Sequence, residues 1–388
     1  MTQSTADSGS AQNAADGTPR LLFTPECGTG PGLLLLTSPD TPEAAIHARA
    51  TLLAEEGYTV FAPRDVSDGD GVAGAARALA ARAEATAGPV CVAHGDIACA
   101  AVGAAGEFAA IVAFDAPGLA GSAGQLASLP CPAVFQFGTL GSPTAAAAAD
   151  TLREAIGPGI GSGNGVRVHD WPDAAPGFAL PATPAFDSRV DSLAHSRTLE
   201  LIRRVVGPYY DYVALFAEHI RHEFETRDVD ATMATMISDP YVNHVATLAG
   251  GVGHDMLKRF YKYHFVDQNS ADRSSVTVSH TLGPDRVVLE LVVRFKHDRV
   301  LDRYFPGIAP TGQYVELATV LIVKFRGDKV CHEHIYWDQG SALKQIGVLA
   351  ADGLPVAGAE AARKVLDEHR PSNIFMADAW AASEDKPL

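Results

Sequence analysis

Residues 286–297 read RVVLELVVRFKH and residues 314–325 read YVELATVLIVKF. Both runs are long, rich in β-branched residues and free of Gly and Pro, as strand interiors are. Ser274–Leu282 and Lys329–Asp338 flank them with the same character, and Gly283-Pro284-Asp285 and Gly327-Asp328 supply hairpin turns. Upstream lies helical patterning from about Tyr209 to Met236, a short strand around Tyr241–Val245 and a helix over His254–Phe265. Helices followed by an antiparallel meander predict an α+β cone with a curved sheet.

The preceding half has a different rhythm. Gly32–Thr37, Tyr58–Ala62, Pro89–Ala93, Ala109–Phe114, Ala133–Gly138 and Val166–Trp171 are short apolar runs. Helical stretches at Ala44–Glu56, Gly71–Thr86 and Arg189–Val206 alternate with them. This alternation predicts an α/β unit with a mainly parallel sheet. The expected division is a disordered tail over 1–20, an α/β domain over 21–206, an α+β domain over 207–349 and a tail over 350–388. In that last tail, Phe375 and Trp380 are expected to anchor on the body or on a second subunit.

Composition narrows the function. The 388 residues carry a net charge of −16 and no basic cluster, so nucleic acid is not an expected partner. No apolar run is long enough to span a bilayer, and residues 1–20 lack the apolar core of a signal peptide. Five widely spaced cysteines without a CxxC fit reduced thiols in the cytoplasm. No GxGxxG or P-loop pattern occurs, so no nucleotide cofactor is expected.

Two resemblances emerge from these stretches. The order GLLLL, LLAEEGYTVFAPRD, PVCVAHGDIACA, FAAIVAFDAPG, PCPAVFQFGTLGSPT and VRVHDWPDAAPGFALPATPAFDS resembles the dienelactone hydrolases, an α/β-hydrolase family. That resemblance implies a nucleophile on a sharp strand-to-helix turn, with backbone N–H groups aimed at an oxyanion. Gly95 occupies the nucleophile position, Gly141 the acid position and Pro176 the histidine position, so the triad is absent from its expected places. Asp96 or Cys99 as displaced nucleophile, with His94 or His169 as base, is the remaining hydrolytic arrangement. The first half is therefore expected to be a pseudo-hydrolase serving folding, dimerisation or substrate access.

The stretches DPYVNHVATLAGGVGHDMLKRFYKYHF, VVRFKHDRVLDRYFPGIAPTGQYVE and HEHIYWDQGSALKQIGVL resemble SnoaL-like polyketide cyclases of the ketosteroid isomerase superfamily. The resemblance implies one pocket in the cone, a base just after the second helix, an acid on a late strand and pairing into a homodimer. It places His244 at the base position and Asp338 or His334 at the acid position.

Strand alternation refines this. Val242, His244 and Ala246 share one face, with Tyr241 and Asn243 opposite. His332, His334, Tyr336 and Asp338 share one face of the last strand, and Glu333, Ile335 and Trp337 the other. Glu333 is thus the alternative pocket acid, and Tyr241, Asn243, Tyr336 and Trp337 are candidate substrate contacts. His297 beside Asp298 is a further candidate base. His219 and Glu223, four residues apart on the first helix, either reach the cone's mouth or form a solvated face, the commoner outcome. Tyr261 is read as core filling. No pair of histidines has a helical metal-ligand spacing, so no metal site is expected.

The expected function is a cofactor-independent acid/base enzyme of secondary metabolism, acting on a polyketide-like or other carbonyl-containing small molecule. Cyclisation, isomerisation and dehydration all fit. A lactone or ester hydrolase and a non-catalytic small-molecule carrier are the competing readings.

Overall fold

The computed structural model describes residues 9–13, 19–157 and 165–387. Its contacts divide the chain into two units, Met1–Tyr210 and Asp211–Leu388. No helix among the described residues is long and apolar enough to cross a membrane.

In the first unit β1 (Gly9–Asn13) and β2 (Pro19–Phe23) form an antiparallel pair. The expected tail over 1–20 is therefore replaced by strand at Gly9–Asn13 and from Pro19 on; residues 1–8 and 14–18 lie outside the described residues. The chain continues through β3 (Gly32–Leu36), α1 (Glu43–Glu55), β4 (Thr59–Ala62), α2 (Gly69–Ala80), β5 (Val90–His94) and α3 (Ile97–Gly103). It then forms β6 (Ala110–Phe114), a short α4 (Ala123–Leu126), β7 (Ala133–Gly138), α5 (Pro143–Ile156), β8 (Val166–Trp171) and α6 (Ser188–Val206). The sheet order is β1-β2-β4-β3-β5-β6-β7-β8, parallel from β4 to β8. Strands β3, β5 and β6 are buried throughout, which is why they read as unbroken apolar runs.

Helix α6 is fixed by buried charge. Glu56 meets His195 at 2.9 Å and Arg203 at 2.6 Å, and Arg49 meets Asp191 at 2.5 Å. These groups satisfy one another, as buried polar and charged groups must.

The turn after β5 has the expected strand-to-helix form, with Gly95 at φ +81°. A Cβ on Gly95 would lie 2.7 Å from Ser38 Oγ, so the turn is occupied as well as bare. His94 is buried, stacked on Phe114 at 4.7 Å, and burial holds its pKa well below the usual value. Asp96 accepts the Gly118 N–H at 2.8 Å. Cys91 is core, and no directed contact joins Cys99 or Asp96 to His94 or His169 among the described residues. Instead Asp115 ties this end of the sheet together, accepting N–H groups from Gly138 and Gly177 at 2.7 Å each. Burial raises its pKa to about 6 against the opposing pull of those bonds. Asp115→Ala removes a charged acceptor from the buried Gly138 and half-buried Gly177 N–H donors, and each such bond is worth about 1.5–3 kcal/mol. A fall in the urea midpoint of the intact chain is the expected result; an unchanged midpoint would show the carboxylate to be dispensable.

The second unit opens with α7 (Tyr212–Arg221), a wide π-type turn at His222–Thr226 and α8 (Val229–Ala234). The helical pattern to Met236 is broken at Arg227, which adopts φ +52°, and Asp228 caps α8 through the Ala231 N–H. Then come β9 (Met236–His244), β10 (Ala249–Val252), α9 (His254–His264), β11 (Ser274–Leu282), β12 (Arg286–Lys296), β13 (Tyr314–Arg326) and β14 (Lys329–Trp337). The sheet order is β10-β9-β14-β13-β12-β11. It is antiparallel except that β14 runs parallel to β9, bringing the short early strand beside the last one.

Short helices α10 (Gln339–Gln345), α11 (Ala359–Leu366) and α12 (Ala377–Ala381) finish the chain. Helix α11 packs on β13, where Arg363 meets Glu316 at 2.7 Å. Phe375 and Trp380, expected as anchors, are exposed.

Candidate functional site

Register assigns the two faces of the second sheet. Glu333 pairs with Val242 and Val323, and Ile335 with His244 and Leu321. Directly paired residues share a face. Val242, His244, Leu321, Glu333 and Ile335 all border one cavity of about 410 Å³. Helix α7 and the turn after it close the cavity with Phe216, Ile220, Glu223 and Phe224. Tyr261 and Phe265 enter from α9 and its end.

Several expected site residues are thereby corrected. His334 and Tyr336 lie on the opposite face with Tyr241 and Asn243, and Tyr241 rings with His332 and His334 there at 4.5 and 5.4 Å. The two-residue period of a strand dictates this once Glu333 faces inward. Asp338 lies past the strand end, where its carboxylate caps α10 through the Gly340 N–H and Ser341 hydroxyl. His297 is buried beyond the end of β12 against Phe305 and Thr311, and is not part of the cavity wall. Trp337 faces inward but packs behind the wall, against His244 and Tyr304.

His244 is where the sequence reading put it, on the cavity wall, but its chemistry is specific. Its Nδ1–H donates to the Ala249 carbonyl at 3.1 Å. Burial and then the Arg303 charge lower its pKa to about 3, against the raising effect of that carbonyl. The ring is therefore neutral near pH 7 and too weak a base to hold a substrate proton, while its other nitrogen remains an acceptor.

The dense charge lies at His219, Glu223 and Glu333. His219 is fully buried, and its Nε2 is 3.2 Å from Glu223 and 3.1 Å from Glu333. Both carboxylates sit off the direction of the ring N–H, so the contacts are ion pairing without a directed hydrogen bond. The tautomer follows from the neighbours. Thr235 donates its hydroxyl to the Thr232 carbonyl at 2.6 Å, so its oxygen accepts from His219 Nδ1 at 2.6 Å. A proton on Nε2 then makes the ring an imidazolium. Burial alone would lower the His219 pKa, but Glu223 and Glu333 outweigh it and raise it to about 10. Burial pushes the Glu333 carboxyl up, with His219 opposing. Tyr261 is held well above its usual pKa by burial and by both carboxylates, so it remains a neutral O–H donor beside them.

The expectation of a solvated His219–Glu223 face is thus overturned. The π-type turn at His222–Thr226 directs Glu223 inward; such widened turns recur at functional sites. The i,i+4 spacing was visible in the sequence, but the turn's widening and its meeting with β14 were not. Tyr261, read as core, also borders the cavity.

One nitrogen and two carboxylate oxygens within 4.8 Å of one another are also donor types that suit a divalent cation. An imidazolium already supplies the positive charge such an ion would bring. Equilibrium dialysis against Mn²⁺ and Zn²⁺ distinguishes the two. The imidazolium arrangement predicts no tight site, whereas one equivalent bound and lost in Glu333→Gln would make the trio a metal centre.

No protein-family model matches the chain, and no curated protein matches it in sequence. Solved structures match each half separately. The first half is similar to a protein of Klebsiella pneumoniae provisionally described as a dienelactone hydrolase, at 15% identity, over 50% of this chain and 95% of that one, with a TM-score of 0.41. The second is similar to a protein of Jannaschia sp. CCS1 provisionally described as a SnoaL-like polyketide cyclase, at 17% identity, over 37% of this chain and 99% of that one, with a TM-score of 0.30. It is also similar to SalBIII, an epoxide hydrolase/cyclase-like enzyme of pyran ring formation in salinomycin, at 14% identity, over 32% and 89% of the two chains, with a TM-score of 0.25. At these identities the likeness is one of architecture.

Proposed function

We propose that the second unit is an acid/base enzyme that moves a proton at a carbon beside a carbonyl in a small polyketide-like molecule. The observation carrying this reading is the buried trio of His219, Glu223 and Glu333, whose two carboxylates border the cavity while His219 lies behind them. Glu333 is the proton-transferring group. Burial raises its pKa above the ordinary carboxyl value, which makes it a stronger base than an exposed glutamate. The His219 charge stabilises the carboxylate form and opposes that rise. Tyr261 donates its hydroxyl to the substrate oxygen as negative charge develops there. His244 accepts a hydrogen bond from a substrate hydroxyl and orients it. Aromatic and aliphatic walls exclude water, which strengthens each of these contacts. Cyclisation, isomerisation and dehydration differ in what the resulting enolate does next, and all begin with this step. The first unit, with Gly95 at its turn, serves as a non-hydrolytic partner domain in this reading.

The test is genetic. Deleting the gene in its source strain is expected to accumulate a precursor that wild type consumes on restoration and Glu333→Gln does not. Full restoration by Glu333→Gln would reject the assignment.

A further inference from the structure

The same cavity is bordered by two arginines that the proton-transfer step does not use, and Arg273 lies within electrostatic range of Glu223. Arg273 immediately precedes β11, and Arg303 lies in the loop between β12 and β13; both border the cavity. The Arg273 guanidinium lies 3.8 Å from the centroid of Phe224. Arg303 lies 4.2 Å from the Phe265 centroid and 5.8 Å from that of Phe224, so both cations lie near the Phe224 ring. Among the described residues Arg303 donates to neutral oxygens, the Asn269 side-chain amide and the Phe265 carbonyl. The Tyr304 hydroxyl is beside Arg273, yet Arg273 Nε is buried with no acceptor. Among the described residues neither arginine is in ion-pair contact with a carboxylate, although other buried arginines of the chain, Arg49 and Arg203, each have one.

That contrast is informative. Two like charges at one apolar wall repel and are costly to desolvate, and face stacking on Phe224 offsets only part of the cost. A guanidinium presents five N–H donors in a planar fork that matches a carboxylate. We infer that Arg273, backed by Arg303, binds a carboxylate group of the ligand and thereby fixes which end of the molecule faces Glu333 and Tyr261. The ligand class becomes a small carboxylic acid whose apolar body fills the cavity. Its charged end sits on Phe224 and its reactive carbonyl lies toward the trio. Arg303, committed to Asn269 and Phe265, holds the field and the loop in place, while Arg273 carries the free donors.

This inference rests on the cavity being the ligand site of the proposed function, but it needs no turnover to test. Isothermal titration calorimetry of the intact chain would compare 2-naphthoate with its uncharged analogue 2-naphthamide. Wild type is expected to bind the carboxylate at least ~10-fold more tightly, the scale of a charge-assisted bidentate contact. Arg273→Gln should lose most of that preference, and Arg273→Lys should keep part of it, which separates lost charge from a damaged fold. Glu333→Gln should retain the preference while losing turnover, so failure of the acid/base reading and failure of this one are read separately. Equal binding of the two probes, binding of neither, or a preference that survives Arg273→Gln would overturn the inference. Displacement of naphthoate by equimolar inorganic phosphate would reassign the site to phosphate and overturn the carboxylate assignment.

Discussion

Glu333→Gln is expected to lower turnover of the accumulating precursor by at least ~100-fold while leaving the chain folded, the usual range for loss of a proton-transferring side chain. Gln has the same shape and still offers an oxygen to its neighbours, so packing at β14 is preserved. It cannot carry the proton. Removing one of two facing carboxylates also relieves repulsion against Glu223, so the variant should melt no lower than wild type. A damaged fold would give the opposite. The pH profile adds a second readout. Wild-type turnover should show a limb set by the trio as a whole, since its groups titrate together, and the variant should lose that limb. His244→Gln is expected to cost less than ~10-fold and to leave the limb in place, because a ring with a pKa of about 3 is uncharged across the working range. Near-normal turnover by Glu333→Gln would remove the carboxyl group from the mechanism. A loss confined to His244→Gln would return the base role to that residue.

The second large effect is on stability. His219→Leu leaves Glu223 and Glu333 facing each other in a buried site, and stranding a buried charge typically costs about 3–5 kcal/mol. Combining it with Glu333→Gln should recover part of the loss, because the stranded pair is then a single carboxylate. The pH dependence has a defined sign. The folded His219 pKa of about 10 lies above the ordinary 6.5, so the folded state holds this proton more tightly. Its stabilisation is complete below pH 6.5 and disappears as pH rises through about 10. Glu333 is shifted in the same direction and also makes stability fall with rising pH, from its ordinary 4.5 upward. His244, His297, His332 and His334 are lowered, so their effects fall below pH 6.5. Between pH 6.5 and 10 the second unit is therefore expected to lose stability with rising pH in wild type and to lose much less in His219→Leu. Urea unfolding of the intact chain, with hydrogen exchange pulses on β13 and β14, reads this directly. Parallel pH curves would contradict the buried imidazolium.

Much of this architecture is legible in the sequence. The unbroken apolar runs at Leu33–Leu36 and Ala110–Phe114 announce strands covered on both faces, and both are fully buried. The alternation over β12 to β14 announces a sheet with one inner face. What alternation cannot supply is which face is inner. The resemblance and the shared strand face point to Asp338 or His334, and the choice between them and Glu333 depends on the parallel pairing of β14 with β9. That pairing joins segments about ninety residues apart, and nothing local encodes it. The trio has the same origin. His219 and Glu223 are near neighbours, but only the third member, brought by β14, turns a plausible solvent face into a buried charge cluster. The continuous helical patterning up to Met236 also hides the widened turn that aims Glu223 inward. In the first unit the bare turn at Gly95 was legible because it rests on one residue's identity. Its filling by Ser38 was not, because Ser38 arrives from a different strand end.

The central claim is that a proton moves at a carbon beside a carbonyl in the second unit's cavity, carried by Glu333. The most direct measurement is to incubate the purified protein with the accumulated precursor in D₂O and locate deuterium by NMR. The account predicts wild-type-dependent deuterium at the carbon adjacent to the carbonyl, and background incorporation with Glu333→Gln. Conversion by wild type with no deuterium at that carbon, or equal incorporation by Glu333→Gln, would contradict it.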